Sequence, residues 1–415
     1  MILNIHGKRY NLEKFNHPGG QEILELCNNE PDCTALFESY HAFCDINKIR
    51  RIMKKYEIVS TNNTRKQMFN FKYNGFYNTC KNEVIKKFGY NRLNSKSDVN
   101  WCVTVTISLL LFFSFQYLYL FHFTNPFLRL FSSFFSGITI ISLGYNILHD
   151  GSHHAISKYT FINQILSRII QSLLLWNHKL WLYHHCIRHH QYTGNYELDP
   201  DMRNSRPFFR KSDKIKPRNN EFTKSNIGLK LLLFNILFPG TTLGQSLSYH
   251  LIWVRKKNLW KMDLPNKYFD KWTFFQYLIS FCFCIFEIYY GNVYFLVYII
   301  GTNIGFFIGS APDHDMYNTH LQISNYDKKM DWGELQVRNS ANFMSNYPLF
   351  TKFYGGINYQ IEHHLFPTLN NHKLKKISPI VKDCCMKFNI PYHSIDNPIE
   401  IYSEIVKTYQ NIHDL

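Results

Sequence analysis

Four long apolar blocks, arranged as two pairs, restrict this chain more than any other feature of its 415 residues. Trp101 to Phe123 and Phe127 to Leu148 are separated only by Thr124-Asn125-Pro126, and Trp272 to Tyr290 and Val293 to Pro312 only by Gly291-Asn292. Each block approaches the roughly 20 residues that a helix needs to cross a bilayer, and none carries more than one charge. A turn that short brings the second block back alongside the first, so each pair predicts an antiparallel helical hairpin. The expected fold is a multi-pass α-helical membrane protein: about four transmembrane helices in two hairpins, plus interfacial helices and a cytosolic cap. The hydrophobic fraction of 45% looks ordinary only because very polar stretches dilute the blocks.

Two further apolar segments are interrupted. Phe161 to Leu182 contains Arg168, His178 and Lys179, and Leu231 to Val254 is broken by Pro239-Gly240 and carries His250. Both are expected as helices lying in the interface or packed on the bundle. The formal charge of +16 concentrates between the hairpins, at Arg203, Arg206, Arg210, Lys211, Lys214, Lys216, Arg218, Lys224, Arg255, Lys256, Lys257 and Lys261. That bias places the segment on the cytosolic side, as a basic face near anionic headgroups; no motif supports nucleic-acid binding. Ten cysteines without a CxxC pair suggest no disulfide framework and agree with a reducing compartment. The polar, basic start MILNIHGKRY predicts no cleavable signal sequence.

Residues 1 to 60 hold no apolar block and are expected to form a small separate α+β domain. Its centre is "HPGG", His17 to Gly20, followed by Asp32-Cys33-Thr34, Phe37 and His41, 24 residues after His17. Glycines let a backbone pass close to a flat ligand, and two imidazoles on opposite walls close both axial positions of a haem iron, which leaves one-electron transfer as its task. The pattern resembles the cytochrome b5 domain, which implies haem b with His17 and His41 as axial ligands. Ser60 to Thr64 reads as a linker that tethers a mobile electron donor near its acceptor, and 61 to 100 as linker and interfacial segment.

Histidine clustering is the strongest chemical signal. "HDGSHH" sets His149 and His153 at i and i+4, on one helical face. "HHCIRHH" repeats that relation at His185 and His189, with His190 rotated by about 100°. "QIEHHLFP" adds Gln360, His363 and His364. Imidazole-rich sets suit zinc, copper, nickel or iron on ligand type alone. Eight or more ligands exceed the needs of a single zinc, so two metals are indicated, and the H-E-x-x-H of zinc proteases is absent.

The three clusters resemble the histidine boxes of membrane fatty acid desaturases, and "HHQYTGNYELDPD" and "DWGELQVRNSANF" are similar to segments of that family. The haem module and a third box that begins with Gln resemble the front-end desaturases, over nearly the whole chain. The resemblance implies metal ligation by His149, His153, His185, His189, His190, His363 and His364, with His314 of "APDHD" as a further ligand; Gln360 stands where other branches have histidine, and its amide carbonyl is a weaker, neutral donor. It also implies two iron ions, O2 as co-substrate, a fatty acyl substrate (acyl-CoA or acyl-lipid), and electrons from NADH through a separate cytochrome b5 reductase and the haem. The expected enzyme is an acyl desaturase of the endoplasmic reticulum membrane, its site and haem domain on the cytosolic face, acting between an existing double bond and the carboxyl end in residues 101 to 415. Asp150, Asp199, Asp201 and Glu362 are candidates for orienting imidazoles. His154 and His184 are expected in supporting or structural roles, and His6, His122, His178, His250, His320, His372, His393 and His413 as structural or solvated. A hydroxylase or sphingoid-base desaturase on the same scaffold, and a metal transporter, are the rival readings.

Overall fold

The computed structural model describes residues 1–28, 30–58, 67–202, 208–219, 221–237, 258–259, 262–263, 270–319 and 330–414. The expected linker at Ser60 to Thr64, His250, His320, and the basic residues Arg203, Arg206, Arg255, Lys256, Lys257 and Lys261 lie outside them, as does the side chain of His413.

The N-terminal unit opens with β1 (Ile2–Ile5) and β2 (Lys8–Asn11), an antiparallel pair, followed by α1 (Gln21–Cys27), α2 (Thr34–Tyr40) and α3 (Ile46–Met53). After α4 (Phe76–Phe88), α5 (Val99–His122) and α6 (Pro126–Ser152) form the first long hairpin. Next come α7 (Thr160–Leu173), α8 (178–192) and α9 (Ile227–Leu237); the second hairpin is α10 (Lys271–Gly291) with α11 (Tyr294–His314). Shorter helices complete the chain: α12 (Trp332–Arg338), α13 (Pro348–Phe353), α14 (Gln360–Leu365), α15 (Leu374–Lys387) and α16 (Pro398–Asp414).

Helices α5, α6, α10 and α11 are long and apolar enough to cross a membrane. Their bounds extend the sequence expectation by one to four residues at most ends, because polar caps rather than apolar residues set where they begin. Asp98 accepts from Trp101 N, Asn125 from Phe127 N and Leu128 N, and Asp270 from Thr273 N, satisfying amides that a helix start leaves open. Val103, Ile107, Leu110 and Phe113 of α5, and Phe274, Leu278, Phe281 and Ile285 of α10, face outward, as lipid-facing positions do. The inner contact is built from small residues: a Cβ on Gly137 would lie 2.1 Å from Tyr298 O, and one on Gly301 2.2 Å from Phe134 O. Helices α6 and α11 thus cross backbone to backbone, the packing small residues permit. The charges inside the spans also find partners: Arg129 donates to Tyr119 O and Tyr290 O, and buried Glu287 accepts from the Tyr119 hydroxyl.

Two expectations change. Phe161 to Leu182 is not one helix. The chain leaves α7, Leu175 takes a left-handed φ of 61°, and α8 starts afresh with Asn177 accepting from Leu180 N. Lys179, at the head of α8, is ion-paired with Asp270 at 2.7 Å, which ties α8 to the start of α10. The N-terminal unit, expected to be tethered and mobile, is packed on α8: Leu3, Ile5, Leu24, Leu36 and Phe37 share one apolar core with Leu180, Leu182, Tyr183, Cys186 and Ile187. Glu30 meets Arg188 at 2.7 Å with both buried, and Glu22 meets Arg168 at 3.0 Å.

Candidate metal centre

The two hairpins each return to the side they left, so the ends of α6 and α11 lie beside α8 and α14. There the boxes converge into two groups: His149, His153, His185 and His363, and His189, His314 and His364. His149 Nε2 lies 3.0 Å from His185 Nε2, and His189 Nε2 3.1 Å from His314 Nε2. His190 stands between the groups, 3.3 Å from His185 Nε2 and 3.1 Å from His363 Nε2, its ring stacked on His364 at 4.3 Å. Every box histidine expected to ligate metal is therefore in one cluster, while His154 and His184 of the same motifs are not.

The partition differs from what α-helical spacing predicts. His185 and His189 were expected together, with His190 turned away. Instead residues 182–189 of α8 form wide turns closed by i→i+5 bonds, which carry residues five apart on to nearly one face. His185 and His190 thereby approach one another, and His189 turns to the second group. In α14, Gln360 and His364 share a face one turn apart, 3.1 Å between Nε2 atoms, while the adjacent His363 reaches the first group.

Donor accounting decides what such a cluster is for. His189 Nδ1 faces Asp199 at 3.1 Å and Asp201 at 3.2 Å; His314 Nδ1 donates to Asn339 O at 2.7 Å; His364 Nδ1 donates to Gln336 Oε1 at 2.8 Å. A neutral imidazole has one N–H, so these three Nε2 atoms carry bare lone pairs. Bare lone pairs about 3 Å apart repel unless a cation sits among them, and two nitrogens about 2.1 Å from one ion at right angles are themselves roughly 3.0 Å apart. The donor set thus fits a metal. Gln360 Nε2 lies 3.0 Å from His314 Nε2, while its Oε1 is buried without a partner. Exchanging the amide O and N, which have the same shape, turns the carbonyl toward the second group. In the same way Asn371, 3.3 Å from His149 Nδ1 through Nδ2, has its Oδ1 unpartnered, and the exchanged amide accepts from that ring.

Burial lowers the basicity of His185, His190, His363 and His364, and their mutual repulsion lowers it further, so they are neutral donors near pH 7. His189 shifts in the other direction: burial opposes its proton, but the Asp199 and Asp201 charges raise its pKa, and the same carboxylates face its Nδ1. Of the four carboxylates proposed to orient imidazoles, Asp199 and Asp201 do so. Asp150 accepts instead from Asn370, and Glu362 from Asn342 and Tyr392. Gln336, Asn339 and Asn371 were missed: Gln336, within "DWGELQVRNSANF", could have been found by a search for polar residues facing the boxes, whereas Asn339 acts through its main-chain carbonyl, which carries no sequence signal. His184 meets Asp201 at 2.6 Å, His6 meets Glu38 at 2.8 Å, and His372 meets Asn146 Oδ1 at 2.8 Å, all outside the two groups; His154 is partly buried, and His122 is exposed at the end of α5.

The N-terminal histidines also face each other. The rings of His17 and His41 are 6.1 Å apart at 89°, and two imidazoles on opposite sides of one ion at about 2.1 Å have centres roughly 6 Å apart. His41 Nδ1 donates to Phe37 O at 2.8 Å, which leaves Nε2 as a donor to metal. Gly19 N–H points at His17 Nδ1 from 3.1 Å, so ligation by His17 Nε2 requires that ring to turn. A Cβ on Gly19 would lie 2.7 Å from His17 Cε1, so the glycine makes room for the ring.

The family model "Fatty acid desaturase" matches residues 124–396, a span that contains all three boxes and His314. The chain belongs to the fatty acid desaturase family. This desaturase is 27% identical over 437 residues to the acyl-lipid (8-3)-desaturase B of Dictyostelium discoideum, covering 98% of this chain and 89% of that protein. It is 25% identical to an acyl-lipid (8-3)-desaturase of Mortierella alpina, over 94% of the chain and 89% of the relative, and 27% identical to Delta(5) fatty acid desaturase A of D. discoideum, over 98% and 88%. These matches run through the N-terminal unit of the desaturase as well. An oxidoreductase with an acyl substrate and four apolar helices works in a lipid environment.

Proposed function

We propose that the enzyme is an oxygen-dependent front-end desaturase that places a cis double bond between an existing one and the carboxyl end of a polyunsaturated acyl chain. The observation that carries its chemistry is the convergence of His149, His153, His185 and His363, and of His189, His314 and His364, into two groups whose ring nitrogens lie close enough to share an ion. In this reading His149, His153, His185, His190 and His363 hold one iron, and His189, His314, His364 and the carbonyl of Gln360 hold the other. Bound iron supplies the oxidising power that no amino-acid acid or base has against an unactivated C–H bond. The chain's own contribution is position. Asp199, Asp201, Asn339 O and Gln336 hold the protons on Nδ1 of their histidines, so that Nε2 faces inward.

His17 and His41 are the proposed axial ligands of haem b, in a domain of residues 1–60 joined through 61–100 to the desaturase domain 101–415. NADH would supply electrons through a separate cytochrome b5 reductase, at the cytosolic face of the endoplasmic reticulum. The names of the relatives above point to an acyl-lipid substrate and to the Δ5 position as the first product to look for.

Expression in a host without polyunsaturated lipids, fed a panel of fatty acids, tests the reading by mass spectrometry. A product lighter by two hydrogens, with the new bond on the carboxyl side of the old one, is expected. A product heavier by one oxygen would replace desaturase with hydroxylase, and a new bond on the methyl side would remove the front-end assignment.

A further inference from the structure

One side chain of the N-terminal unit enters the bonding of the metal centre. Tyr40 is the last residue of α2 and directly precedes His41. Its hydroxyl lies 2.8 Å from His153 Nδ1 and 3.4 Å from Cys186 O. A phenol has one proton to give. Given to the Cys186 carbonyl, which can only accept, it leaves the Tyr40 oxygen to accept from His153 Nδ1–H. That fixes the tautomer of His153 with Nε2 as the donor to metal. The contact is held from both sides by the apolar core shared with α8 and by the buried pair of Glu30 with Arg188.

We propose that Tyr40 couples the two redox sites: an electron leaving a haem held by His41 reaches the first histidine group through the Tyr40 side chain and its hydrogen bond to His153. The inference rests on the haem and iron assignments above. The step moves one electron: a ferrous haem becomes ferric and a ferric ion of the first group becomes ferrous. No bond is made or broken, no proton moves, and Tyr40 itself is never oxidised. Its role is that of a positioning and coupling residue. The path from the haem-ligand candidate to the box histidine is short: one peptide bond, one side chain and one hydrogen bond.

The test is Tyr40→Phe in the full-length protein, which keeps the ring and removes the hydroxyl. Haem re-oxidation after mixing the haem-reduced, iron-oxidised protein with acyl substrate is followed without oxygen by stopped-flow absorbance. Re-oxidation slower by about tenfold or more per bound iron is expected in iron-replete protein, the order by which loss of a metal-bound histidine's partner lowers activity, with the haem spectrum unchanged. An unchanged re-oxidation rate would overturn the coupling role and leave the haem and iron assignments standing. Iron loss with a re-oxidation rate that stays normal per bound iron would also overturn it, leaving Tyr40 a partner of His153 alone. A parent protein that binds no haem or no iron would remove the underlying reading instead.

Discussion

At the scale of single residues, the centre depends on what stands behind the histidines. Gln336 Oε1 takes the proton of His364 Nδ1 and the hydroxyl of Thr193, at 2.8 Å each. Replacing Gln336 by Leu keeps the volume and removes the acceptor, so His364 is free to take the other tautomer. Iron affinity or activity should fall about 10- to 100-fold, read by iron content after dialysis and by product yield; unchanged iron binding would show that His364 needs no such partner. The ligand types were legible from sequence because imidazoles in boxes have few other uses in such numbers. The partners were not: Gln336 and Asn371 are ordinary polar residues until the fold brings them within 3 Å or so of a ring nitrogen. Asp150 and Glu362 misled for the converse reason. Adjacency in sequence sets a carboxylate beside a histidine along the chain, but successive residues on a helix point about 100° apart, so each turns to Asn370, Asn342 or Tyr392 instead.

At the scale of elements, the spans were legible because length and apolarity are properties of a stretch rather than of a contact. The division of α8 between two metal groups was not, since no composition distinguishes a wide turn from a regular one. The crossing of α6 and α11 is the element contact with least tolerance. Gly137→Leu would drive a side chain into Tyr298 O, where the obstacle is backbone and cannot rotate away. Overpacking of this kind costs about 1–3 kcal/mol or more, and the expected result is a clearly lowered thermal midpoint in detergent, with iron lost because α6 and α11 carry His149 and His314. An unshifted midpoint would mean that the helices separate there without penalty.

At the scale of the whole molecule, the same buried imidazoles proposed to hold metal make the fold sensitive to acid. His153, His185, His190, His363 and His364 all have lowered pKa values, chiefly from burial. Unfolded, they take protons below about pH 6.5; folded, they do not. The unfolded state therefore binds more protons as pH falls through that value, and stability present above it is lost progressively below it. His189, with its raised pKa, contributes in the opposite sense but is one ring against five. Chelator-treated protein should lose thermal stability from about pH 7 toward pH 5.5; a flat profile would contradict neutral imidazoles at these positions. Topology at this scale was legible, because each of two helical hairpins returns the chain to the end where the boxes gather. The docking of residues 1–58 on α8 was not, because Glu30 and Arg188, or Leu36 and Ile187, are complementary only after folding and leave no local pattern in the chain.

That docking also sets an order of events during synthesis. The first 58 residues leave the ribosome well before Leu180 to Ile187, the residues that complete their apolar core, and the whole first hairpin is made in between. At about 5–20 residues per second, the N-terminal unit waits on the order of ten seconds with Leu24, Leu36 and Phe37 short of their final partners. Synthesis of α5 and α6 thus comes before the completion of a unit that precedes them, and a stall there leaves Leu24, Leu36 and Phe37 exposed to chaperones and proteases.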